Sequence, residues 1–416
     1  MTTPAPSQPL IVLDDDPTGT QAVVDTPVLL EWDAELVSEA ARGARAVHLL
    51  TNVRAFPPER ARAVTHDGAR TAVEALGEPR LALRGDSTLR GHLLEEYLAV
   101  CDARFGGRRP PLLLVPALPH AGRVTVDGVH LIERNGTRTP LHETEYARDG
   151  GFAYSDARLL RWAEERTYGL LRADEGLEVK PAGVAAAIGE LQGTSTVVVP
   201  DAETLGDLEV IAGGLRAAER EGAEVVVRSA PTFVGVLAGN LAVGFAEPPA
   251  TGGPLLVVVG SYVPQTTRQL AALASRHPES IIEVNVAALA SGSPETEIER
   301  AAREARRRLE SDGLAVLATP RERPVGVATL DAGERIAAGL ARAAGAAGAS
   351  VVLTKGGITA AVTARVGLGA RRAICRGPLV DGVALWELED GTPYVVFPGN
   401  IGDDATLLEV VELLRG

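Results

Sequence analysis

The feature that most narrows what this chain can become is a rhythm: short, continuous apolar runs alternate with stretches of helix length. In the front half the runs are LIVL (10–13), AVHLL (46–50), LAL (81–83) and LLLV (112–115), followed by TVVV (196–199) and EVVV (224–227). Apolar runs without polar alternation suit strands buried on both faces, and the lengths between them suit crossover helices. DAETLGDLEVIAGGLRAAERE, between the last two runs, reads as one such crossover. The pattern predicts an α/β fold in which a mostly parallel sheet is flanked by helices. Parallel strands emit their following segments at one edge, where open α/β sheets bind ligands. The four segments after the first four runs, DDDPTGT, TNVRAF, RGDSTLRGH and PALPHAGRVTVDG, are therefore expected to converge.

The rhythm is interrupted at residues 244–254, GFAEPPATGGP, where Pro, Gly and small residues show no periodicity and read as a linker. A length of 416 residues suits two domains. They are expected at 1–245 and 253–416, each with its own mostly parallel sheet and a cleft between them. Beyond the linker, LLVVVGSYVPQTTRQLAAL reads as a strand running through Gly260 and Ser261 into a helix with Pro264 in its first turn. Further strands are expected at SIIEVNV, GLAVLAT and SVVLT. VALWEL and YVVF flank EDGTP in hairpin style, and PGNIGDDATLLEVVELLRG supplies the final helix. AAREARRRLE reads as a solvated helix face.

Charge excludes some functions. A net charge of −14 opposes binding to nucleic acid and to anionic membrane. Arginine makes up 39 of the 41 cationic residues, which reads as coding bias; the two lysines are Lys180 and Lys355. Cys101 and Cys375 have no metal-type spacing and are expected as buried small hydrophobes. The opening MTTPAPSQP lacks the features of a secretory signal, and no apolar run reaches membrane-spanning length. A soluble cytoplasmic protein is the expectation.

Chemistry concentrates at the ends of the apolar runs. Asp14, Asp15 and Asp16 repel one another at the end of a strand, so a metal or a hydroxyl-bearing ligand gives them a purpose that an Asp-rich capping turn gives less well. In RGDSTLRGH, Ser87 and Thr88 are expected as helix N-cap residues with Arg84 and Arg90 beside the helix amides, an arrangement suited to carboxylate or phosphate. Arg54, on a neighbouring strand end, completes an anion pocket within an acidic protein. In the back half, LTKGGITAAVTARVG sets paired glycines between strand and helix, where backbone amides can approach phosphate. VVVGSY and FPGNIGDD can add backbone groups from the same face, and together they suggest a nucleotide cradle that is not of Walker type. Lys355 is read either as a phosphate contact or as an ordinary surface lysine. His92 and His120 are read as supporting residues near the site, and His48 as a core residue.

These segments together resemble the four-carbon acid sugar kinase family. DDPTGT (15–20), TNVRAF, RGDSTLRG, PALPHAGRVTVDG and HETEYARD are similar to the motifs of its sugar-acid domain; GSYVPQT, KGGITA and FPGNIGD are similar to those of its nucleotide domain. The resemblance covers nearly the whole chain. It implies that Asp15, Asp16, Arg54, Arg84, Gly85, Asp86 and Ser87 line the sugar-acid site. It implies likewise that Ser261, Gly356, Gly357, Ile358, Thr359, Gly399 and Asn400 hold ATP, with Mg²⁺ as companion ion and no metal ligand assigned. Arg84 stands where the family usually has Lys, and Asn400 and Ile401 where Gly and Phe are usual. The expected chemistry is phosphorylation of a terminal hydroxyl, with Asp86 or Asp15 accepting its proton and Arg54 and Arg84 gripping the substrate carboxylate. A homodimer is a family-level expectation.

Two other readings compete. Asp14, Asp16 and Thr18 spell the DxDxT of haloacid-dehalogenase-type phosphatases, with LLTN at 49–52 and GDD at 402–404 imitating later motifs of that superfamily. A non-catalytic small-acid-binding protein on the same scaffold is the third.

Overall fold

The structure is a computed structural model and describes residues 8–149, 151–249, 253–322 and 330–416. The first seven residues, the middle of the expected linker and residues 323–329 lie outside the described residues. The chain divides into two compact units, one of residues 1–19 and 32–241 and one of residues 20–31 and 242–416.

In the first unit the strands pair in the order Ala46–Leu50, Leu10–Asp14, Arg80–Arg84, Val226–Ser229, Leu112–Val115, Val197–Pro200, Leu177–Val179, all parallel. The expected apolar runs are all here. Leu10–Asp14 is buried along its whole length, because helices cover both faces of such a sheet and leave no polar side to alternate with. The crossover expected between the last two runs is the helix Leu205–Arg220, whose N-cap Thr204 and Asp207 form a reciprocal capping box. Leu208, Ile211, Ala212 and Leu215, at helical spacing on this crossover, pack with Val115, Val198 and Val227 in one core. A separate antiparallel ribbon, Arg123–Val126, Val129–Arg134 and Thr137–Pro140, grows from the PALPHAGRVTVDG segment. The sequence pattern did not reveal it, since its strands are four to six residues long and half exposed.

In the second unit Ile281–Glu283, Leu314–Ala318, Leu255–Val259, Val351–Lys355 and Pro393–Phe397 pair in parallel in that order. Val383–Leu388, Arg372–Val380 and Thr26–Leu29 then add an antiparallel flank. Thr26–Leu29 lies far from its partners in sequence and was not anticipated. Trp386 donates to the Thr20 hydroxyl at 2.8 Å, adding a side-chain tie between this segment and the same unit. Pro264 opens the helix Pro264–Arg276 at the position where a missing N–H costs nothing. Both cysteines are buried and free. The helix Glu295–Asp312 carries Glu297 with Arg300 and Glu304 with Arg307 and Arg308 as local ion pairs, as a solvated face should. No described helix is long and apolar enough to cross a membrane.

Candidate functional site

Strand register brings the front-half candidates to one level. Asp14 is paired across from Leu50 on one side and Arg84 on the other, and Ser229 lies across from Arg84. The segments after these strands therefore emerge together at the carboxyl edge, as parallel geometry requires.

A layered charge cluster forms there. In the lower layer Asp14 and Asp15 are completely buried. Asp14 meets Arg84 Nε at 2.6 Å through Oδ1 and His48 Nδ1 at 2.7 Å through Oδ2. Arg84 also faces Asp15 at 3.0 Å and donates to the Asp16 carbonyl. Only 2% of Arg84 is exposed, so it is a counter-charge inside the cluster and not an open carboxylate grip. That departs from the expected pairing of Arg54 with Arg84 on the substrate. The cause is steric: the guanidinium is folded under the turn at Gly19, where a Cβ would lie 2.1 Å from Arg84 Nε. Gly19→Ala should therefore cost about 1–3 kcal/mol through overpacking, read as a lower urea midpoint. An unchanged midpoint would show that Arg84 can move aside freely.

The upper layer is partly open. Arg54 spans three carboxylates, Asp15 at 3.2 Å, Asp16 at 2.7 Å and Asp86 at 3.7 Å, with 16% of its side chain exposed. Asp86 takes Arg90 Nε at 2.6 Å and the Thr88 hydroxyl. Arg90 reaches Asp149, from the HETEYARD segment, at 3.5 Å. Ser87 and Thr88 are not helix caps: Leu89 and Gly91 adopt φ of +66° and +133°, so the helix starts only at Leu93, with His92 ahead of it. Instead His130 of the ribbon meets the Ser87 carbonyl at 2.9 Å, and Tyr154 donates to the Thr88 carbonyl at 3.1 Å, holding this turn in place. Gly85 and Gly91 are needed because Arg228 packs against both; a Cβ would come within 2.8 Å and 2.7 Å of it. Arg228 in turn pairs with buried Glu96 at 2.5 Å.

Sequence reasoning missed Arg228, Glu96, His130 and Tyr154 as parts of this cluster, and it quoted Asp149 within HETEYARD without giving it a role. Lone polar residues at the end of a strand or on a helix carry no local signal. His48 is buried as expected, although its partner is Asp14 and its Nε2 has none among the described residues.

The two candidate proton acceptors differ in charge state. Burial pushes Asp15 up to about 7, against the pull of Arg54 and Arg84. Burial also acts on Asp86, but Arg90, Arg54 and the Thr88 hydroxyl outweigh it and hold that carboxyl well below the usual range. Among the described residues no three His, Cys, Asp or Glu side chains are arranged to hold a metal ion. The aspartates are engaged by guanidinium groups.

In the second unit the candidates Ser261, Gly356, Thr359 and Gly399 meet at strand ends. Thr266 Oγ1 donates to the Gly399 carbonyl at 2.9 Å and lies 3.3 Å from Ser261 Oγ. Gly356 N donates to the Phe397 carbonyl at 2.8 Å. A Cβ on Gly399 would sit 2.6 Å from Ser261 Oγ, and one on Gly356 would sit 3.0 Å from Ser261 Cβ. Gly356 has φ of +113°, and the helix Gly357–Val362 starts directly after it. Ile358 and Asn400 are exposed beside this turn. Arg321, not singled out from sequence, donates to the Ser261 carbonyl. Lys355 is not a surface lysine: it is completely buried, stacks over the Phe397 ring at 3.5 Å and donates to the Pro398 carbonyl at 2.5 Å.

Two family models match the chain, one described as a sugar-binding N-terminal domain over residues 10–237 and one as a nucleotide-binding C-terminal domain over residues 256–407. The class is thus an α/β protein with a sugar-binding front and a nucleotide-binding back. The chain belongs to the four-carbon acid sugar kinase family. It is 29% identical over 302 residues to the D-threonate kinase of Salmonella typhimurium, covering 70% of this chain and 66% of that one. It is 28% identical over 293 residues to the D-erythronate kinase of Heliobacterium modesticaldum, covering 67% and 63%. The chain thus spans just under two thirds of the length of these relatives. A Salmonella typhimurium LT2 crystal structure provisionally labelled a tRNA synthase shares the fold, with a TM-score of 0.70 at 21% identity over 96% of this chain and 98% of that one. A Haemophilus influenzae structure does so with a TM-score of 0.63 at 18% identity over 97% and 100%.

Proposed function

We propose that this protein transfers the terminal phosphoryl group of ATP to the terminal hydroxyl of a four-carbon sugar acid such as threonate, erythronate or an oxo relative. The observation that carries this reading is the layered cluster at the carboxyl edge of the first unit. Arginines there are poised for a carboxylate, and carboxylates for hydroxyls, with both kinds of group partly open. Family membership and the two kinase relatives support the same chemistry.

Arg54 and Arg90 take the substrate carboxylate and Asp16 and Asp86 accept its hydroxyls. Of the two candidate proton acceptors, Asp86 is the more open, with 13% of its side chain exposed, whereas the oxygens of Asp15 are buried beside Arg54. A low proton affinity does not disqualify Asp86, because phosphoryl transfer through a loose transition state demands orientation of the hydroxyl more than a strong base. Ser261, Gly356, Gly357, Ile358, Thr359, Gly399 and Asn400 form the nucleotide seat in this reading. Mg²⁺ bound with the nucleotide would supply charge neutralisation to its phosphates, with no protein ligand for it assigned.

The phosphatase reading fares worse on geometry. An aspartyl-phosphate mechanism needs Asp14 free to attack, yet both its oxygens are engaged and it is buried. The test is ATP consumption by the purified protein over a panel of four-carbon acids, run beside phosphate release from the matching phosphoesters. ATP use with at least one acid is expected. Phosphate release without it would reject the kinase reading. A non-catalytic binder would show no thermal shift with ATP and Mg²⁺, whereas saturation at 100 times the dissociation constant stabilises by about 2.7 kcal/mol.

The charge state of Asp15 sets a pH dependence. Above about 7 it is ionised and competes with the substrate for Arg54; below, it is neutral and releases that arginine. Arg84 and Arg228 also pull its proton affinity down, and Glu96 pushes it up. Acid-substrate affinity should therefore fall as pH rises through 7, and Asp15→Asn should flatten the profile. A profile equally steep in that variant would remove Asp15 from this role.

A further inference from the structure

Among the described residues of the second unit, Lys355 is a fully buried lysine that the proposed mechanism leaves unused. It ends the strand Val351–Lys355, one residue before Gly356, between Val259 and Phe397 on the adjacent strands. Its side chain meets the Phe397 ring and the Pro398 carbonyl, and Val259 and Phe397 flank it on the neighbouring strands. None of these carries a carboxylate. Among the described residues Arg321, a like charge, reaches the turn through the Ser261 carbonyl. A ring face and one carbonyl are the ammonium's support, and burial pushes the amine down to about 6.

A fully buried lysine without a counter-ion is costly to a fold, and a Met or Leu would fill the same space without that cost. Its location supplies a reason for it. It is covalently next to the glycine pair, and its hydrogen bond fixes the carbonyl of Pro398, directly before Gly399. A polyphosphate on this seat brings several negative charges into the environment that lacks one.

We propose that Lys355 is an uncharged amine while the seat is empty and takes a proton from solvent when nucleotide phosphates settle beside Gly356, so that nucleotide binding and proton uptake are linked. This deepens the nucleotide reading of the same seat and rests on it. The linkage is reciprocal: protons favour nucleotide binding as nucleotide favours the proton.

Calorimetry of MgATP binding at pH 8 in buffers of different ionisation enthalpy tests it, since the γ-phosphate is fully ionised there and contributes no proton of its own. The wild-type protein should take up about one proton per nucleotide, and adenosine none. Lys355→Met should bind MgATP more weakly and take up none. The wild-type affinity for MgATP should also fall by up to about tenfold per pH unit above 8, with adenosine unchanged, a readout that needs no variant. Binding without proton uptake, or equal uptake by the methionine variant, overturns the proposal. Absence of any MgATP binding to the wild-type protein would instead overturn the nucleotide reading beneath it.

Discussion

Changing Asp86 to asparagine is expected to lower turnover at least about a hundredfold while leaving MgATP binding close to wild type. The magnitude is that of a positioned proton acceptor. The selectivity follows from geometry: asparagine keeps the size and one accepting oxygen, so Thr88 and Arg90 retain a partner, and the nucleotide seat is built from other strands. The acid substrate's KM should change less than kcat, since Arg54 and Arg90 still hold the carboxylate. Steady-state kinetics with the best acid from the panel decides it. A rate within a few fold of wild type would move the acceptor role to Asp15, whose proton affinity suits a base near neutral pH.

The second large effect concerns the fold. Arg84→Met should destabilise the protein by about 3–5 kcal/mol, because it leaves Asp14 and Asp15 buried without their shared counter-charge. Asp14 retains His48, and Asp15 retains Arg54 at 3.2 Å, so the damage is to a network and not to one pair. The loss should also shrink at low pH, with the sign set by Asp14. Its pKa is lowered in the fold, where Arg84 and His48 overcome the penalty of burial. The stability it contributes is present above the ordinary carboxylate range and lost as pH falls through its folded value. Chemical denaturation of both proteins at pH 7 and pH 4 measures this. A cost below about 1 kcal/mol at pH 7 would mean that Arg84 is a surface-like residue and that the layered description is wrong.

The same cluster shows where sequence reasoning is strong and where it stops. The apolar runs at 10–13, 46–50, 81–83 and 112–115 announced both the strands and the convergence of the segments that leave them. Burial on both faces leaves an unbroken apolar signature, and parallel pairing leaves one edge for the exits. Local signals also placed Pro264 at a helix start and Asp86 beside the aspartates of the first strand. The same signals misread RGDSTLRGH as a capped helix. Ser and Thr favour caps wherever they occur, but here positive φ at Leu89 and Gly91 delays the helix, and the polar side chains face the cluster.

Other features left no trace in the linear order. The pairing of Thr26–Leu29 with Arg372–Val380 joins segments more than three hundred residues apart. The ribbon that seats His130 under Ser87 has strands too short to show a period. Arg84 and Arg54 look alike in sequence, as arginines at or just past the ends of apolar runs, and only packing made one a buried counter-ion and left the other partly open. Lys355 and Lys180 differ in the same way: one is sealed under a phenylalanine ring, while the other is exposed and pairs with Asp127 and Asp201.

The amino-acid order alone thus determined the α/β class, the edge at which chemistry collects and the residue types gathered there, because hydrophobic periodicity and turn chemistry act between near neighbours. Which charges are buried, which arginine stays partly open and which carboxyl is pushed up toward neutral pH were decided by the tertiary structure. Those properties depend on desolvation and on ion pairs between residues tens to hundreds of positions apart, distances that no local pattern encodes.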